Sequence, residues 1–336
     1  MQKALCFLCL LALSACAGGR LGPQSTVPAT TSSVDRTTQT FASTVAWNVG
    51  AGASSNAYAL QDLDFYPKAI TIDAGDSITW HIASGVGGDA HTIAFLAPGQ
   101  PVPSPGDPND LSPAGGSSYD GSTYTNSGIK VGGQTYTLTF PKAGTYPYYC
   151  LFHEPAMVGT VVVQKAGTAY PHNAQYYTDV SSTDLWEDLG AADVSVRSFP
   201  FPVGGTTLAA GIDPGLTSRP PSDSTVLRYL DTNDPSKLAT SGNLTIKVGT
   251  TLTWVNETSN EPHTVTFPPA GQHELPAMPP DPASGGNTFD GDHLVNSGTF
   301  LGGQKFSLKF TRAGSYFYGC LYHDNSRMTG TITVTP

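Results

Sequence analysis

YYCLFHEPAMVGTVVV, residues 148–163, carries a strand-like aromatic run into a cysteine, a histidine and a methionine placed within eight residues, then into a second apolar run. Residues 317–334, FYGCLYHDNSRMTGTITV, repeat the arrangement. Beyond residue 16 the chain holds only two cysteines, Cys150 and Cys320, and three methionines, Met157, Met278 and Met328. Residue types this scarce do not fall twice into one pattern by chance.

Outward from these runs the two halves align. SSYDGSTYTNSGIKVGGQTYTLTFPKAGTYPYYCLFH in the first matches NTFDGDHLVNSGTFLGGQKFSLKFTRAGSYFYGCLYH in the second, with a constant offset of 170 residues from Asn126/Asn296 to Cys150/Cys320. Farther upstream, AGDSITWHIASGVGGDAHTIAF matches VGTTLTWVNETSNEPHTVTF, with small deletions in the second copy. A period this long predicts duplicated domains, not a solenoid of short units.

Each copy reads as strands. Ile70 and Ile72, then Ile78, Trp80 and Ile82, alternate with polar residues, as do Tyr136, Leu138 and Phe140; Leu244, Ile246, Val248, Leu252 and Trp254 repeat the pattern. Ala143-Gly144 and Ala313-Gly314 interrupt it at matching places. With 37 glycines, 27 prolines and only 12% charged residues, the composition favours short strands joined by turns. The fold class predicted is all-β, a β-sandwich in each half. Residues 41–165 and 223–336 are the two sandwiches, joined by a partly helical connector over 166–222. In that connector Tyr176, Val180, Trp186 and Leu189 form a loose apolar face, Gly190 ends the helix, and SRPPS at 218–222 marks a linker. The formal charge of −10 excludes nucleic acid as a partner, because phosphate binding needs a basic surface.

One histidine lies far upstream of each Cys-x-x-His pair, His91 by 59 residues from Cys150 and His263 by 57 from Cys320. The candidate ligand sets are therefore His91, Cys150, His153 and Met157, and His263, Cys320, His323 and Met328. Two imidazoles and a thiolate with a weak thioether form the donor set of a blue-copper electron-transfer site. Soft sulfur stabilises Cu(I), imidazole serves both oxidation states, and a site fitted to neither extreme rearranges little when an electron moves. Taken singly, each element has a plainer reading: a buried cysteine is often an inert small apolar residue, and Cys-x-x-His alone is half of a zinc site. Their joint occurrence, twice and in register, favours copper.

On these motifs both halves resemble the cupredoxins, the plastocyanin and azurin family, over roughly residues 41–165 and 223–336. The resemblance implies a Greek-key sandwich in each half. In that family the cysteine, second histidine and methionine lie on the loop between the last two strands, and the first histidine lies on an earlier strand. YYCLFHEPAM before VGTVVV, and YGCLYHDNSRM before TGTITV, fall on matching ground. The implied cofactor is copper, two type 1 ions per chain, and the implied partners are redox proteins. The spacing between His and Met is three residues in the first copy and four in the second, so the two centres need not be equivalent. His81, His172, His273 and His293 have no counterpart in the other copy and are set aside as ligands, and Trp80 and Trp254 are read as core.

Two other functions share such domains. Copper oxidases and nitrite reductases add a catalytic copper held by His-x-His pairs or by a histidine beside the blue-copper cysteine. This chain has no His-x-His, and Tyr149 and Leu151 flank Cys150 as Gly319 and Leu321 flank Cys320, so no enzyme activity and no catalytic residue is expected. Copper storage or delivery proteins commonly carry Met-rich or His-rich tracts, which this chain lacks.

The first 15 residues, MQKALCFLCLLALSA, read as a secretory signal, with an apolar run too short to span a bilayer. Leu13, Ser14, Ala15 and Cys16 resemble the bacterial lipobox, which implies cleavage before Cys16 and lipid on it. The alternative is ordinary cleavage near Ala15 or Ala17. Residues 16–40 then form a flexible tether, and the expected location is extracytoplasmic, lipid-anchored to a bacterial membrane. In an exported chain Cys150 and Cys320 invite a disulfide, but their equivalent places assign each to its own site.

Overall fold

The computed structural model describes residues 44–55, 59–84, 90–103, 111–153, 156–198, 200–217, 224–259, 261–276, 282–323 and 328–336. The signal at 1–15, the tether with Cys16, the SRPPS linker and Met278 lie outside the described residues.

The first half supplies β1 (Ala46–Ser55), β2 (Leu60–Tyr66), β3 (Ala69–Asp73), β4 (Ser77–Ile82), β5 (Ala94–Phe95), β6 (Thr125–Asn126), β7 (Thr135–Thr139), β8 (Gly144–Tyr149) and β9 (Val158–Gln164). A single long helix, α1 (Ala174–Ser195), follows. The second half runs β10 (Thr207–Ile212), β11 (Ser224–Leu230), β12 (Leu244–Lys247), β13 (Thr251–Asn256), β14 (Thr266–Phe267), β15 (Thr288–Phe289), β16 (Val295–Asn296), β17 (Lys305–Phe310), β18 (Gly314–Gly319) and β19 (Thr329–Thr335). The alternating residues do what their period requires. In β4, Ile78, Trp80 and Ile82 are buried while His81 faces out, and β13 buries Leu252 and Trp254 in the same way.

Each half is a sandwich, and the two are fused. One nine-stranded sheet runs β15-β17-β13-β10-β11-β2-β1-β4-β7 through the whole molecule, and a five-stranded sheet packs on it in each half, β3-β9-β8-β5-β6 and β12-β19-β18-β14-β16. Trp47, Val49, Trp80, Phe95, Tyr148 and Val161 close the first core, and Leu208, Trp254, Phe267, Tyr318 and Ile332 the second. The seam is β11 against β2, antiparallel, pairing Ser224 with Asp62, Thr225 with Gln61 and Val226 with Leu60. A third core of Leu60, Ala192, Val196, Ile212, Val226 and Leu230 fills the seam.

The region between the sandwiches departs from its sequence reading. β10 lies inside 166–222 and pairs with β13 as β1 pairs with β4, so the second sandwich draws a strand from before residue 223. Residues Leu208–Ile212 are buried on both faces, and a strand buried on both faces loses the alternation that would reveal it. The helix is longer than expected and Gly190 lies within it. Asn173 caps it, accepting from Tyr176 N at 2.9 Å. It buries Tyr177 and Ala192; of the predicted apolar face, Leu189 packs against the seam core while Tyr176 and Trp186 are exposed, Trp186 by 77%. Tertiary partners select those contacts: Tyr177 Oη accepts from Thr71 N at 2.9 Å and Ala192 enters the seam core. Among the described residues no helix is long and apolar enough to cross a membrane.

Candidate metal centres

Strand pairing builds each site. Ala94 of β5 pairs with Tyr149 at the end of β8, which brings His91 and Thr92 alongside Cys150. His91 itself is held by an isolated bridge to Lys130, donating from N at 2.9 Å and accepting at O at 2.8 Å. The loop from β8 to β9 is closed by Cys150 N to Met157 O at 3.1 Å and Met157 N to His153 O at 3.0 Å. In the second half His263 bridges Phe300, and Cys320 N to Met328 O and Met328 N to His323 O close the matching loop at 3.0 Å each.

These pairings bring His91, Cys150 and His153 together in one half and His263, Cys320 and His323 in the other, all buried. Cys150 Sγ is 3.6 Å from His91 Nδ1 and 3.3 Å from His153 Nδ1. Cys320 Sγ is 3.8 Å from His263 Nδ1 and 3.4 Å from His323 Nδ1, and the two Nδ1 atoms are 3.1 Å apart. Met157 and Met328 are fully buried in the same cores as their cysteines. Both cysteines are free thiols, so no disulfide joins the halves. His81, His172, His273 and His293 are exposed, and Trp80 and Trp254 are core.

Burial alone pushes the Cys150 thiol up, but the imidazoles of His153 and His91 outweigh it and bring the group well below its ordinary value. The same opposition, with His323 and His263, brings Cys320 down to about 5. A thiol held toward its anion among two imidazole nitrogens, with no carboxylate in the set, fits a soft to borderline transition metal. The amides of Thr92 and Thr264 support the anion, donating to Cys150 Sγ at 3.4 Å and Cys320 Sγ at 3.3 Å. Their hydroxyls accept from Leu151 N at 2.7 Å and Leu321 N at 2.8 Å, which locks the loop that carries each cysteine.

Sequence reasoning passed over three sets of residues here. Thr92 and Thr264 follow the upstream histidines in HT(I/V)xF but were read only as strand. Gly52 and Gly211 have positive φ (71° and 68°) at the bulges of β1 and β10. A Cβ on either would stand 2.3 Å from His91 Nε2 or 2.6 Å from His263 Nε2. An isolated glycine in an apolar strand run is the signal that marks such close approach. The third is Glu261, whose carboxylate lies 3.3 Å from His153 Nε2 and 3.2 Å from His323 Nε2.

A sandwich carrying a His-Cys-His cluster at the end of its last hairpin defines a class of metal-binding β-domain, here present twice. The model of the copper binding proteins, plastocyanin/azurin family, matches residues 53–164 and again 236–335. The chain belongs to that family. It is similar to the chloroplastic plastocyanin of Tetradesmus obliquus, 37% identical over 120 residues, covering 35% of this chain and 66% of that relative. It is also similar to plastocyanin of Scenedesmus fuscus, 34% identical over 91 residues, covering 27% of this chain and 80% of that one. Among solved structures, a reduced-state amicyanin variant is 25% identical, covering 35% of this chain and 82% of its own, at a TM-score of 0.23.

Proposed function

We propose that the protein is an electron carrier with two type 1 copper centres, one in each half. The observation that carries this reading is the duplicated convergence of two imidazole Nδ1 atoms on a buried thiol in a chain of the copper-binding family. His91, Cys150 and His153, with Met157 as a weak fourth donor, would hold one ion; His263, Cys320 and His323, with Met328, would hold the other. Copper supplies the one-electron couple. The protein's part is to fix the donors on hairpins of rigid sandwiches, keep the thiolate hydrogen-bonded through Thr92 and Thr264, and exclude water by burial. The missing His-x-His pairs and the non-ligating neighbours of both cysteines favour a carrier over an oxidase or nitrite reductase, and the missing Met-rich and His-rich tracts disfavour storage.

The test is metal content with a visible spectrum. Purified protein is expected to hold two coppers, to show intense thiolate-to-copper absorption that reductant bleaches reversibly, and to sustain no oxidase or nitrite reductase turnover. Cys150→Ser and Cys320→Ser are each expected to remove one copper and leave the other bound. Native zinc, or loss of both metals from either change, overturns the reading.

The lipobox-like Leu13-Ser14-Ala15-Cys16 supports a lipid anchor on an extracytoplasmic membrane face, where redox proteins would be the partners. Detergent is then required to release the wild type, and Cys16→Ser gives a soluble or uncleaved chain. Release of the exported wild type without detergent removes the anchor.

A further inference from the structure

Glu261 is a buried acid to which the copper reading gives no role. Its side chain is 1% exposed, with Oε1 3.3 Å from Nε2 of His153 in the first half and Oε2 3.2 Å from Nε2 of His323 in the second. The loop that carries it is pinned. Glu261 O accepts from Asn256 Nδ2 at 2.8 Å and Thr258 Oγ1 at 3.0 Å, while Ser259 donates from N and Oγ to Asp213 Oδ2 at 2.5 Å each. Tyr322, beside His323, packs against the cores of both halves, so the two ligand loops face one another here.

We propose that Glu261 is a positioning residue shared by the two metal centres, one carboxylate that orients His153 and His323 together and makes the state of each centre felt at the other. The proposal rests on the copper reading above. Burying a carboxylate is costly unless its charge is met. Here one imidazole from each half lies within ion-pair distance of one of its oxygens. When each Nδ1 is given to a metal, the ring proton falls on Nε2, which lies within ion-pair distance of a carboxylate oxygen. A carboxylate behind a ligating imidazole fixes the ring and raises its basicity, which favours the more highly charged metal state. Because one carboxylate serves both rings, the centres compete for it. Glutamine has the same shape but one acceptor and one donor end, so it meets one Nε2–H and opposes the other.

The experiment compares the wild type with Glu261→Gln and Glu261→Asp in two measurements. In the metal-free chain, nitrogen NMR of the imidazoles reads the contact itself: the Nε2 resonances of both His153 and His323 are expected to feel the carboxylate, and Glu261→Gln shifts both. In the copper-loaded chain, redox titration followed by absorption and electron paramagnetic resonance reads the coupling. Glu261→Gln is expected to keep both coppers and raise both midpoint potentials, by about tenfold in the oxidation equilibrium or ~59 mV for one electron. Glu261→Asp, which keeps the charge, stays nearer the wild type. Cys320→Ser is expected to shift the potential of the remaining first centre, and that shift disappears when Glu261→Gln is also present. Changes confined to His323 and the second centre, or a Cys320→Ser shift that persists without Glu261, overturn the proposal. Loss of the copper reading alone shows differently, as intact NMR contacts in a chain that takes up no copper.

Discussion

At the scale of the residue, the decisive positions around each site are glycines and a carboxylate as much as the ligands. His91 sits against the Cα of Gly52, and the backbone there has φ of 71°, which side-chain-bearing residues rarely adopt. Gly52→Ala is expected to drive the His91 ring away from Cys150 and abolish the first centre's colour while the second centre keeps its own. Gly211→Ala is the mirror experiment for His263. The measurement is the visible spectrum with copper counted per chain, and an unchanged spectrum in Gly52→Ala refutes the contact. The His-Cys-His group that converges in each half was legible from spacing because scarce residue types repeated in register. Glu261 was not, although Asp89 stands at the matching place two residues before His91, outside the described residues. A carboxylate two residues from a histidine has no meaning until two other imidazoles, those of His153 and His323, are folded against its oxygens.

At the scale of the element, β2 carries an unusual load for a strand buried along its whole length, with Asp62 and Asp64 among its residues. Asp62 accepts from Ser224 Oγ at 2.6 Å and from Tyr66 Oη, which is also 3.2 Å from Asp188 Oδ2 on α1. Asp64 accepts from Phe65 N at 2.8 Å and pairs with Lys68. Burial pushes Asp64 up from 3.8 to about 7, Lys68 opposing and Asp62 adding to the rise. The folded chain therefore holds a proton that the unfolded chain releases at lower pH. The associated stability is fully present below about pH 4 and is lost as pH rises through about 7. Asp64→Asn removes this linkage. Between about pH 5 and pH 8 the denaturation midpoint of the wild type is expected to fall more than that of the variant. Equal slopes refute it. β3, β4, β7, β12 and β13 were visible in the sequence as alternation; β10 and β2, buried on both faces, needed the neighbours that bury them.

At the scale of the whole molecule, the halves are not beads on a connector. The continuous sheet and the seam core of Leu60, Ala192, Ile212 and Val226 join them, and α1 closes over the join. Ser224→Ala leaves the buried Asp62 with one donor fewer and is expected to cost ~1–3 kcal/mol. Because that bond crosses the seam, the loss is expected in one shared calorimetric transition. Two separate transitions, with only one shifted, refute a fused unfolding unit.

The amino-acid order by itself determined the duplication, the all-β class, the two His-Cys-His groups and the family they belong to. Each of these is written locally, as alternation along a strand or as spacing within one hairpin and its upstream partner. Only the tertiary structure decided that β10 belongs to the second sandwich, that one sheet runs through both halves, and that His153 and His323 meet over Glu261. Those facts are pairings between segments far apart in the chain, and they arise from which faces must be buried together, a condition that no single segment expresses on its own.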